Sequence, residues 1–126
     1  MNKKIIISIF VFLFSSASVF ACSSLGSSSE LLDCKKREEE ESRSQMQETY
    51  SLLYEYLSDA THYQKEVKLS QKLWLESAVK NCDIYAYFAE DGSIAHNVAS
   101  SECMSYEYKS RYKFLIKTKK VAEEFF

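Results

Sequence analysis

The sequence predicts an all-α fold: a three-helix antiparallel bundle with an N-terminal extension, stapled by disulfides. Three observations predict it. The 126 residues contain no proline and only two glycines, Gly26 and Gly92, so few positions favour chain reversal. Apolar residues recur at helical spacing in three separate stretches. Four cysteines, Cys22, Cys34, Cys82 and Cys103, follow a segment that reads as an export signal, where an even set of thiols is expected to oxidise.

Residues 1–21 carry that signal. Lys3 and Lys4 precede an apolar run from Ile5 to Phe14, and a stretch rich in Ser leads to Val19-Phe20-Ala21. A run of this length is too short for a bilayer span, which needs about 20 apolar residues. Cleavage after Ala21 predicts one mature domain, residues 22–126, in the periplasm or secreted. Cleavage there leaves Cys22 first, which raises the alternative of a lipoprotein anchored through that residue. Phe20 fits that pattern poorly, and acylating Cys22 would strand one thiol of an even set. Loss of Lys3 and Lys4 leaves 14 basic against 18 acidic residues, a net charge near −4. Nucleic acid is a poor partner for such a chain, and a basic protein is electrostatically favoured.

The helices follow in order. A short lead-in helix is expected from Ser27 to Cys34, because Ser27 and Glu30 have capping spacing. Met46, Tyr50, Leu53 and Leu57 place one apolar face on the first long helix, and Ser58-Asp59-Ala60-Thr61 ends it. Thr61 and Gln64 have the spacing of a capping box for the second helix. Its stripe runs through Gln71, Trp74, Ala78, Cys82 and Tyr85, ending near Ala89. Gly92 and Ser93 mark the next turn. The third helix, starting near Asn97, carries Met104, Tyr108, Arg111, Leu115, Thr118 and Ala122.

Short connections imply antiparallel neighbours. Cys82 then falls about two turns before the second bend and Cys103 about two turns after it, level enough for a disulfide. Cys22 and Cys34 pair by elimination. Four cysteines admit three connectivities, so the other two stay open at this point.

From Cys22 to Leu115 the sequence resembles the LprI-like lysozyme inhibitor family of small secreted bacterial helical domains. The resemblance rests on an ordered set: Cys22 and Cys34 separated by eleven residues, Tyr50 and Leu53, the run Gln71-Lys72-Leu73-Trp74-Leu75, and Cys82 eight residues after the tryptophan. Gly92-Ser93-Ile94, Cys103, Arg111 and Leu115 complete it. It implies a structural role for Gln71, Trp74, Gly92 and Arg111, and a non-enzymatic lysozyme-inhibitor-like binding function. The chain departs from the pattern at Ala78 and Val79, where family members often carry an Arg-Asp pair.

No cofactor, metal or catalytic site is expected. His62 and His96 have no second histidine at i+3 or i+4, and no cysteine pair has zinc-knuckle spacing. Trp74 reads as a core residue. Arg111, among apolar neighbours, reads as an internal clamp onto a carbonyl or an acid such as Glu76. Candidate partner-binding residues are the acidic run Glu38, Glu39, Glu40 and Glu41, which could steer a basic target, and Tyr106. Tyr54, Tyr56 and Tyr112 also lie off the stripes. The partner expected is a protein, a lysozyme or another cell-wall hydrolase. An envelope immunity or adaptor protein is the alternative reading, and a purely structural envelope protein is a third.

Overall fold

A computed structural model describes Cys22 and residues 26–126; the signal assigned to residues 1–21 lies outside the described residues. Three helices account for nearly all of it: α1 over Ser28–Tyr56, α2 over Thr61–Tyr85 and α3 over Ile94–Phe125. Among the described residues there is no strand, and no helix is long and apolar enough to cross a membrane.

Helix boundaries follow from which side chains satisfy the free N–H groups at each start. Ser27 caps α1, its hydroxyl accepting from the Glu30 N–H at 3.3 Å. The expected lead-in helix is therefore real at its start but not separate. With no Gly or Pro to interrupt it, the backbone continues through the Lys- and Glu-rich stretch as one 29-residue helix.

The capping box expected at Thr61 and Gln64 does not form. Ala60 occupies the cap position, which places Thr61 inside the first turn, where its hydroxyl cannot accept from the helix start. The Gln64 Nε2 group instead donates to the Tyr54 carbonyl at 2.8 Å and ties the α1–α2 corner together. At the second corner α2 ends at Tyr85, four residues before the expected Ala89. Gly92, at φ 75°, supplies the left-handed residue that reverses the chain. Ser93 then caps α3 by accepting from the His96 N–H at 3.1 Å, so α3 starts at Ile94 rather than near Asn97.

Consecutive helices run antiparallel, which makes α1 and α3 parallel. Lys35 reaches Glu102 at one end of that pair, and Lys119 lies over the Tyr56 ring at the other. The α1–α3 pairing is the most extensive contact, α2 packs mainly on α3, and α1 and α2 approach least. Near the disulfide end, buried Ser42, Ser101 and Ser105 are small enough to let helices come close. Further along, Met46, Leu53, Leu57, Val67, Tyr108, Leu115 and Ala122 form the apolar core. Each fully buried leucine among them contributes about 1.5–3 kcal/mol through removal from water.

The stripes of α1 and α3 face this core as expected. The α2 stripe holds for Ala78 and Cys82, which are buried, and for Gln71 and Trp74, which are half-buried. It fails at Tyr85, whose ring is exposed while its hydroxyl reaches Glu102 on α3. Since α2 has mainly one packing partner, Leu69, Leu73, Leu75 and Val79 also stay exposed.

Both expected disulfides are present, Cys22–Cys34 with Cα atoms 5.7 Å apart and Cys82–Cys103 with Cα atoms 5.4 Å apart. No cysteine is free. The first bond engages the Cys22 sulfur that acylation would require. The second joins α2 to α3 just behind the Gly92 turn.

Candidate functional site

The turn behind that second disulfide projects its side chains in an unusual way. Ala86 is buried and Ala89 half-buried, so these small residues point inward and seat the backbone. Tyr87 and Phe88, lying between them, are forced outward and are 76% and 98% exposed. Their rings meet edge to face, with centroids 5.5 Å apart. Glu90 and Asp91 follow, both exposed.

This tip is braced rather than loose. Tyr87 N–H donates to Ile84 O at 3.3 Å, Ala89 N–H to Ala86 O at 3.1 Å and Ser93 N–H to Glu90 O at 3.0 Å. Behind it sits the Cys82–Cys103 bond. Rings that would bury well are thus held in water by a fixed backbone.

Beside the tip, between α2 and α3, lies an open groove of about 560 Å³ lined by Asn81, Tyr85, Glu102, Cys103, Tyr106 and Glu107. The Tyr85 hydroxyl donates to Glu102 Oε2 at 3.3 Å, and Asn81 Nδ2 donates to Glu107 Oε1 at 3.1 Å. Lys35 Nζ lies 3.4 Å from Glu102 Oε1 and 3.3 Å from Glu38. Burial lowers the Lys35 pKa, but these two carboxylates outweigh it and hold the ammonium above its ordinary value. Among the described residues Glu107 has no ion-pair partner. Groove and tip together form an acidic, aromatic surface at one end of the α2–α3 hairpin.

Tyr106, the tyrosine singled out from the sequence, stands on this surface and is 70% exposed. The acidic run is elsewhere, on α1. Four consecutive helical residues point about 100° apart, so Glu38 to Glu41 do not share a face. Glu38 is half-buried and held by Lys35, Glu40 pairs with Arg43, Glu39 is half-buried and Glu41 is exposed. Of the other tyrosines, Tyr54 meets Tyr50 at a tilt, Tyr112 packs against the core and Tyr56 sits under Lys119.

Gln71, Trp74 and Arg111 meet away from the tip as one clamp between α2 and α3. Arg111 is only 7% exposed. Its Nε donates to Gln71 Oε1 at 2.9 Å and its Nη2 to Ser70 Oγ at 3.0 Å, while the Trp74 and Phe114 rings lie 5.4 and 4.7 Å from its guanidinium carbon. Of the two expected partners it is the carbonyl that is found, that of the Gln71 side-chain amide, with the Ser70 hydroxyl beside it, and no acid takes part. Glu76 lies on the outer face of α2 and pairs with Lys72 at 3.9 Å, too far round the helix to reach. Burial pushes the Arg111 pKa down from its ordinary value, as expected for a cation without a carboxylate against it. No group of three or more metal-ligating side chains occurs among the described residues.

A family model described as Lysozyme inhibitor LprI matches residues 21–115, spanning both disulfides, the tip, the groove and the Arg111 clamp. The chain belongs to this family. Membership implies lysozyme-inhibitor-like protein binding as the class of function, and a protein as the kind of partner. Neither the search of curated proteins nor that of solved structures returned a match. Within the LprI pattern Gln71, Trp74 and Arg111 are now explained as a single interhelical contact, and Gly92 as the residue with positive φ at the tip. Sequence reasoning missed Tyr85, Tyr87, Phe88, Glu102 and Glu107. A signal existed for the rings: Tyr87 and Phe88 are large apolar residues between two stripes, separated only by Ala89 from Glu90-Asp91-Gly92.

Proposed function

We propose that this LprI-family chain is an exported bacterial protein that binds a lysozyme-type muramidase in one-to-one stoichiometry and blocks its glycan cleft by surface contact, without covalent chemistry. Family membership over residues 21–115 carries the reading. Two disulfides fit an oxidising compartment, in keeping with a signal peptide cleaved after Ala21 and a periplasmic or secreted product. The acidic mature charge favours encounter with a cationic enzyme.

The contact face in this reading is the stapled end of the α2–α3 hairpin. It combines exposed aromatic rings, which dominate binding energy in many interfaces, with carboxylates that discriminate between partners. Its fixed backbone limits the entropy lost on binding. The acidic run of α1 plays a lesser part, because its charges point in several directions and two are already paired.

Titration of the oxidised mature chain against lysozymes of different structural classes tests the proposal. The expected outcome is a linear fall in muramidase activity that reaches its floor at one equivalent for at least one enzyme. Full activity of every enzyme at tenfold excess of the chain would refute it, and would turn attention to an immunity or adaptor role toward another exported protein.

A further inference from the structure

We infer that the Tyr87–Phe88 tip is the element that enters the muramidase cleft, with the two rings occupying space that sugar rings of the glycan would take. The inference rests on the inhibitory reading above and names the surface that performs it.

Width is the first constraint. A helix with its side chains is about 10–12 Å across, so the flank of a three-helix bundle cannot descend into a groove built for a single glycan strand. Only a chain reversal is narrow enough. Among the described residues the bundle has two such reversals, and they differ in what they expose. At the α1–α2 corner Leu57 is buried and the exposed residues are Ser58 and Asp59. At the α2–α3 corner the exposed side chains include two aromatic rings, Tyr87 and Phe88.

Charge sets the direction of entry. The hydrolytic carboxylates of a glycosidase flank the scissile bond at the floor of the cleft. Acidic side chains are repelled from that floor, whereas uncharged rings are not. In this docking Tyr87 and Phe88 would lead, and Glu90 and Asp91, both exposed on the same turn, would face a basic rim. The edge-to-face arrangement offers both a ring face and a ring edge, which suits a site that normally packs the C–H faces of pyranose rings. Rigidity makes the rings effective, since the seated alanines, the Ser93 cap and the Cys82–Cys103 bond hold the bound shape in advance.

Other exposed apolar residues are less suited. Leu69, Leu73 and Phe114 lie along the flank of α2 and α3, and Phe125 and Phe126 lie beyond the segment that matches the family.

The test uses the oxidised mature chain with Phe88→Ala and Tyr87→Ala/Phe88→Ala, and Leu73→Ala as a control on the flank. These side chains are exposed, so circular dichroism and thermal midpoint should match the wild type. Against a muramidase that the wild type inhibits, Phe88→Ala should raise the inhibition constant about 30-fold or more, as expected for an aromatic hot spot, and the double variant further. Leu73→Ala should leave it unchanged. A soluble N-acetylglucosamine oligomer that fills the cleft should compete with binding of the wild type. Unaltered inhibition by the double variant, or a complex that forms equally well with the cleft saturated, would overturn the inference while leaving the inhibitory reading intact. Self-association of the wild type that Phe88→Ala abolishes, with inhibition retained, would assign the rings to a second copy and also overturn it. A wild-type chain that inhibits no lysozyme would overturn both.

Discussion

Removing the Cys82–Cys103 bond by Cys82→Ala/Cys103→Ala probes how the tip is held, and the size of the effect can be worked out from the chain. The bond closes a segment with a sequence separation of 21. Loop-closure entropy for that length corresponds to about 3 kcal/mol at 25 °C, lost from the unfolded ensemble in the oxidised protein and regained when the link is cut. Both sulfurs are largely buried, so the cavities left by alanine add to the loss rather than offset it. For a domain of this size the thermal midpoint should fall by about 15 °C. The Cys22→Ala/Cys34→Ala variant closes a shorter segment, with a separation of 12, and should lose about 0.5 kcal/mol less by the same entropy relation. Thermal unfolding followed by circular dichroism at 222 nm, with the two variants side by side, reads both values. A drop below about 5 °C for Cys82→Ala/Cys103→Ala, equivalent to roughly 1 kcal/mol, would show that the hairpin is held by packing alone and would refute the role given to this staple.

Arg111→Lys should lower stability by about 1–2 kcal/mol in urea unfolding, because an ammonium cannot reproduce the fork onto Gln71 and Ser70 or lie flat against Trp74 and Phe114. Inhibition by the folded Arg111→Lys protein should persist, since the clamp lies away from the tip. Glu107→Lys reverses a charge in the groove that no cation neutralises among the described residues; the association rate with a cationic lysozyme should fall and its salt dependence weaken in stopped-flow measurements. Alkaline stability follows from Tyr50 and Tyr108. Burial raises both phenol pKa values from the ordinary 10.0, with Tyr54 adding to the effect at Tyr50 and Glu39 at Tyr108. The unfolded chain therefore ionises first, so the stabilisation is fully present below about pH 10 and is lost as pH rises through the folded values. Tyr108→Phe should flatten that decline in a pH series of urea midpoints.

Helix number, the faces of α1 and α3 and both cysteine pairings were legible in the sequence because they depend on local periodicity and on counting turns from a corner. Met46, Leu53, Leu57, Tyr108, Leu115 and Ala122 are all buried, in keeping with spacing that repeats every three or four residues. Boundaries were less legible. Ser27 caps as its spacing predicts, yet Thr61 does not, because a one-residue shift in where α2 begins moves the hydroxyl out of the cap position. Gln64 was free to find the Tyr54 carbonyl, a partner ten residues away that no local pattern indicates.

The amino-acid sequence by itself determined a cysteine-paired helical chain of the LprI kind, since those properties reside in composition, spacing and covalent chemistry. Only the tertiary structure decided which side chains are exposed and which of them share a surface. Tyr85 keeps helical spacing but its ring stays exposed with its hydroxyl on Glu102 of α3, and Tyr87 and Phe88 are exposed because Ala86 and Ala89 take the inward positions of the turn. Glu102 and Glu107 become one groove with Asn81 and Tyr85 only through the register that Cys82–Cys103 imposes between α2 and α3. Exposure is a property of what lies across from a side chain, and the neighbour across is set by the crossing of helices rather than by adjacent residues.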